Sequence, residues 1–78
     1  MKDLIEFIAS SLVDDPTEVR VNQVRHGSQV IIRLHVAKED MGRVIGKNGR
    51  IANAIRTLLR VSAAQEGKRA TLDIVEPE

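Results

Sequence analysis

A chain of 78 residues has room for one core, and its 42% apolar and 29% charged residues are globular rather than disordered proportions. With no cysteine, it has no disulfide framework, no thiolate zinc site and no thiol nucleophile. A net charge of +1 argues against a polycationic nucleic-acid binder, but the charges are unevenly placed. Asp3, Glu6, Asp14, Asp15 and Glu18 crowd the N-terminal third, whereas residues 41–65 hold Arg43, Lys47, Arg50, Arg56 and Arg60 and no acid. One local surface is therefore expected to be basic.

Residues 3–13 carry Leu4, Ile5, Ile8 and Leu12 at helical spacing, with Asp3 placed to cap the first turn and Asp14-Asp15-Pro16 placed to stop the helix. The acids in this opening stretch, with no small-residue cleavage site after it, read as a cytoplasmic rather than an exported chain. Its longest apolar runs, such as Val30-Ile31-Ile32, fall far short of the roughly 20 residues that cross a bilayer. Val19 and Val21 alternate with polar residues and Val24 breaks the phase, which predicts a first strand with a bulge. His26-Gly27-Ser28 supplies a turn, after which Val30, Ile32, Leu34 and Val36 alternate as a second strand, with Ile31 and Arg33 on its other face. Asp40 is a cap for a short helix from Met41 to Ile45, which Gly46 ends in a left-handed conformation.

A long helix then runs from Gly49 to about Glu66, with Ile51, Ile55, Leu58, Leu59 and Ser62 on its buried face. Gly67 closes it, and Arg69 to Val75 alternates Ala70, Leu72 and Ile74 against Thr71 and Asp73 as a last strand. The order α-β-β-α-α-β predicts one α+β domain. Its first two strands pair antiparallel, the last joins in parallel by a right-handed crossover, and helices cover one face of the three-stranded mixed sheet. Only the first residue or two and Glu76-Pro77-Glu78 are expected to be loose.

The segment Val44-Ile45-Gly46-Lys47-Asn48-Gly49-Arg50-Ile51 joins the two later helices. Gly46 tolerates a positive φ, Gly49 lets another backbone approach the start of the following helix, and that helix start favours an anion. Lys47 and Arg50 add full charges within the same turn. Two glycines alone also serve merely to end one helix and begin the next. Here they follow Val-Ile and precede Arg-Ile, between a short helix and a long basic one.

On these residues the chain resembles the KH family over nearly its whole length. The segment matches that family's hydrophobic-Ile-Gly-x-x-Gly-x-x-Ile pattern, with one residue fewer before the final isoleucine. The element order is similar to the prokaryotic, type II arrangement. With Asp40-Met41-Gly42-Arg43 before the loop, the chain is similar to the small bacterial KH proteins of the KhpA (YlqC-like) family.

The resemblance implies a cytoplasmic single-stranded RNA-binding protein that acts as an RNA chaperone. It also implies a second KH protein as partner, KhpB (also Jag or EloR), and a role in cell elongation and peptidoglycan homeostasis. It places the backbone clamp on Gly46, Lys47, Asn48 and Gly49, since KH loops of this type hold about four nucleotides. Arg43 and Arg50 flank the clamp and can neutralise phosphates, whereas for the more distant Arg56 and Arg60 simple solvation is an equal account. Val44, Ile45 and Ile51 are candidates for an apolar groove wall, with ordinary core packing as the alternative. Phe7 is the single aromatic residue, so base stacking on aromatic platforms is not the expected source of affinity.

Competing chemistries fail on spacing. Gly42-x-x-x-Gly46-Lys47-Asn48 is one residue short of a nucleotide-triphosphate loop and has Asn48 where a hydroxyl must meet magnesium. Val44 denies a dinucleotide fingerprint its third glycine. His26 and His35 lack metal-ligand spacing, and Asp14-Asp15 and Glu39-Asp40 read as helix-boundary residues, so neither a metal, a cofactor nor an enzymatic centre is expected. One rival stays open, a protein-interaction module, such as a homodimer, whose loop touches RNA weakly or not at all. RNA and single-stranded DNA also remain undistinguished.

Overall fold

The computed structural model describes residues 1–77, so of the expected loose terminus Glu78 lies outside the described residues. The first helix, α1 (Lys2–Leu12), is followed by a short turn at Pro16–Glu18 and the hairpin β1 (Arg20–His26) and β2 (Gln29–His35). A turn at Lys38–Asp40 leads into α2 (Met41–Ile45), a second at Lys47–Gly49 leads into α3 (Arg50–Gln65), and β3 (Arg69–Val75) ends the fold. The predicted α-β-β-α-α-β order is the observed one.

Strand order is β1-β2-β3. The hairpin pairs antiparallel around a two-residue turn at Gly27 and Ser28, while β3 joins β2 in parallel with Gln29 opposite Arg69 and His35 opposite Val75. That register sends Val30, Ile32 and Leu34 of β2 and Ala70 and Leu72 of β3 to one face, where all five are buried. The helices cover this face: α1 lies against β1, α3 against β3, and α2 against α3. Val44, Ile55 and Leu59 complete the centre of the core.

Several expectations need correction. No side chain caps α1, because the helix begins two residues earlier than Asp3 requires, with Met1 at its cap position. The first strand has no bulge, since its register against β2 is unbroken from Arg20 to His26. Val21 and Val24, three residues apart, simply lie on opposite faces.

The buried stripe of α3 is Ala52, Ile55, Leu59 and Ala63, while Leu58 is 53% exposed. A period of 3.6 admits either stripe through Ile55, and the alanines decide, because their small side chains let the helix approach the sheet. The same holds in α1, where Ala9 is buried with Ile5 and Leu4 is turned outward.

Asp40 does not cap its own helix. Its carboxylate accepts the N–H groups of Asp14 and Asp15 through Oδ1 and Oδ2, each at 3.1 Å. It thereby ties the segment after α1 to the start of α2.

Candidate nucleic-acid interface

The loop between α2 and α3 is built from three positive-φ residues. Gly46 has φ 76 and ψ 171, an extended conformation that only glycine adopts readily, rather than the expected left-handed helical one. Asn48 (φ 58, ψ 25) and Gly49 (φ 76, ψ 14) are left-handed, and asparagine is among the few residues with a side chain that visit this region routinely. The Gly46 N–H donates to Gly42 O at 2.9 Å and the Gly49 N–H to Gly46 O at 3.1 Å. The N–H groups of Lys47 and Asn48 lie at the loop tip, just before α3 begins.

Close backbone approach occurs at Gly46, not at Gly49 as expected. A Cβ on Gly46 would lie 2.6 Å from Ile51 Cγ1 and 2.9 Å from the Ile51 nitrogen. One on Gly49 would meet only Asn53 Nδ2, at 3.8 Å. The first glycine thus lets the chain fold back against α3, and the second gives the left-handed residue that starts it.

The candidate side chains divide into three groups. Lys47 and Arg50 stand exposed beside the loop and make no ion pair among the described residues. Arg43 is engaged elsewhere: its Nη2 lies 2.8 Å from Asp14 Oδ2 and its Nε 3.3 Å from Asp40 Oδ1. Ile45 and Ile51 are half-buried at the core's margin, whereas Val44 is fully enclosed and has no surface to offer a ligand.

Sequence reading did not find the furrow that continues from the loop. Two adjoining depressions, sharing Arg60, Ala70 and Thr71, run between α3 and β3. One end holds Arg56 and Leu72, the other Lys68 and Arg69. Because α3 runs antiparallel to β3, the Arg56 end points toward the loop, which precedes Arg56 by about 9 Å of helix axis.

Arg56 and Arg60 are one helical turn apart on the same face, and β3 is an edge strand whose outer side has no strand partner among the described residues. Their i,i+4 spacing was the available signal. Lys68 and Arg69 lay outside the acid-free stretch and gave none. Among the described residues no three histidine or acidic side chains converge as a metal site would need, and no helix is long and apolar enough to cross a membrane.

A paired helix start, a glycine-bounded loop and a cationic furrow against an edge strand, all within α-β-β-α-α-β, meet their match in a known family model. Residues 2–74 match the model described as KhpA/KhpB, KH domain. The chain belongs to the KhpA/KhpB KH-domain family. Its relatives include the RNA-binding protein KhpA of Clostridium acetobutylicum, 53% identical over 75 residues that cover 96% of this chain and 100% of that protein. The KhpA of Caldanaerobacter subterraneus subsp. tengcongensis is 51% identical with the same coverage. The KhpA of Aquifex aeolicus is 43% identical over 97% of this chain and 96% of its own length. Similarity of this extent places the KhpA/KhpB fold over the loop, the furrow and all three strands together.

Proposed function

We propose that the chain binds single-stranded RNA by holding a short stretch of sugar-phosphate backbone on Gly46, Lys47, Asn48 and Gly49. The observation that carries this reading is the loop itself: a glycine-bounded turn with three positive-φ residues at the start of a 16-residue helix, with Lys47 and Arg50 exposed beside it and no acid close by in sequence. The backbone amides would receive phosphate oxygens while Arg50, Arg56 and Arg60 neutralise successive phosphates along the furrow. Ile45 and Ile51 would form the apolar wall, supported from behind by Val44. Arg43 would contribute only by leaving Asp14, so it acts chiefly as a brace for α2. The name borne by the relatives, RNA-binding protein, supports RNA as the ligand.

Family membership extends the proposal to a cytoplasmic RNA chaperone working with a KhpB-like (Jag, EloR) KH protein in cell elongation and peptidoglycan homeostasis. The test of the core reading replaces Lys47-Asn48 by Asp-Asp. Aspartate suits the left-handed Asn48 position, so the variant stays folded by circular dichroism and loses affinity for a short oligouridylate. Wild-type affinity in a folded variant refutes the clamp. Competition between RNA and DNA oligonucleotides of equal length then settles which sugar is preferred.

A second reading, as a dimerisation module, is favoured by one observation. Leu58 and Val61 are 53% and 55% exposed on a stripe of α3 outside its buried face, an apolar pair suited to docking a second KH domain, whether another copy or a KhpB-like protein. Replacing both by serine would leave the fold intact and shift light scattering from dimer to monomer. A wild-type chain that is monomeric at all concentrations excludes the homodimer.

A further inference from the structure

The sheet face that the helices leave open has a charge pattern of its own. Strand alternation sends Arg20, Arg33 and Arg69 to this face, one from each strand, with Asp73 as its single acid. Arg33 Nε stands 3.9 Å from Asp73 Oδ2, with both side chains more than half exposed. Such a pair contributes little and exchanges readily for another anion. The cross-strand register puts Arg33 opposite Asn22, two residues from Arg20, and Arg69 opposite Gln29, four residues from Arg33. The guanidinium groups are therefore rooted about 7 and 13 Å apart along the strand direction.

The apolar content of this face is small. Val24 and Ile31 pair across its centre, the first just above a third exposed and the second half-buried, with no aromatic beside them. A protein interface of any strength needs desolvated apolar or aromatic anchors at its core. A polyanion needs spaced cations.

The two basic surfaces also meet. Arg69 and Thr71 line the furrow between α3 and β3 and belong, by alternation, to the open face, with only the free edge of β3 between the two.

We propose that the open sheet face is the second segment of the RNA track. A strand clamped at Gly46–Gly49 follows Arg56 and Arg60 along the furrow, passes over the β3 edge at Arg69 and continues across the sheet with phosphates against Arg33 and Arg20. This rests on the loop-and-furrow reading and extends its footprint beyond the roughly four nucleotides a KH loop holds.

The test measures affinity for oligouridylates of about four and about twelve nucleotides, over a salt series, for wild type, the double variant Arg20→Gln with Arg33→Gln, and Asp73→Asn. The double variant is expected to bind the short probe as wild type does and the long probe about tenfold more weakly. Its salt slope on the long probe should fall by about 1.4, since each phosphate neutralised on a single strand accounts for roughly 0.7. Asp73→Asn is expected to strengthen only the long probe. Equal long-probe affinity in wild type and the double variant overturns the second segment while leaving the clamp untouched. If Lys47→Asp with Asn48→Asp binds both probes as wild type does, the clamp reading fails instead, and with it any track that begins there.

Discussion

Replacing Gly46 by alanine probes the close approach on which the loop depends. Two costs add. The residue sits at φ 76, ψ 171, a glycine-only region in which a side chain costs on the order of 1–3 kcal/mol. The new Cβ would also stand 2.6 Å from Ile51 Cγ1 and 2.9 Å from the Ile51 nitrogen. A rotamer change can clear the side chain but not the backbone atom, so the start of α3 must move, and overpacking of this kind costs typically about 1–3 kcal/mol. The expected loss is about 4 kcal/mol, a third or more of the roughly 4–12 kcal/mol available to a domain of 78 residues.

Gly49→Ala is the matched comparison. It carries a left-handed penalty of about 1–2 kcal/mol without a clash, its nearest neighbour being 3.8 Å away. Urea unfolding followed by circular dichroism should therefore place Gly46→Ala about 2–3 kcal/mol below Gly49→Ala at an unchanged slope. Combining Gly46→Ala with Ile51→Ala should cost less than the sum of the two single changes, because the side-chain part of the overlap is removed. Equal losses for the two glycines, or an additive cycle, would refute the assignment of the close approach to Gly46.

Asp40→Ala strips acceptors from the Asp14 and Asp15 N–H groups and a partner from Arg43, and should lower stability by about 2–4 kcal/mol in thermal unfolding. Asp40→Asn, keeping one acceptor oxygen, should lose less, and an alanine variant as stable as wild type removes the carboxylate from the tie. Changing Arg56 and Arg60 together to glutamine should leave the fold intact and reduce the salt slope of short-oligonucleotide binding by about 1.4. An unchanged slope would take the furrow out of the interface.

What the sequence disclosed and what it hid separate along the range of the interactions involved. Alternation in Val30, Ile32 and Leu34 and the turn at Gly27 are local signals, and each fell where the register places it. The glycines of the loop were equally visible, because they punctuate helical pattern on both sides. Hidden features depend on residues far apart in the chain. Asp40 is turned away from its own helix by N–H groups 25 and 26 residues distant, and Arg43 is drawn from the loop by Asp14, 29 residues away. The exchange of roles between Gly46 and Gly49 follows from how the chain doubles back on Ile51. In both longer helices the reading favoured large apolar residues, and Ala9, Ala52 and Ala63 took places on the buried stripes instead.

The low net charge, which first weighed against a nucleic-acid ligand, loses that force once the charges are placed. The acids of the N-terminal third belong to α1 and the turn after it, and α1 lies against β1; the acid-free α3 lies against β3, at the opposite edge of the sheet. Two strand spacings, about 10 Å, separate those edges, and screening at physiological salt acts over about 8 Å. A phosphate at the loop therefore meets Lys47, Arg50, Arg56 and Arg60 on a stretch of chain that carries no acid. Asp14 and Asp40 are the acids tied to the start of α2, and they share the Arg43 guanidinium. The Asp14–Arg43–Asp40 cluster thus does two things at once: it fixes α2 against the segment after α1, and it offsets one of the two carboxylate charges gathered there.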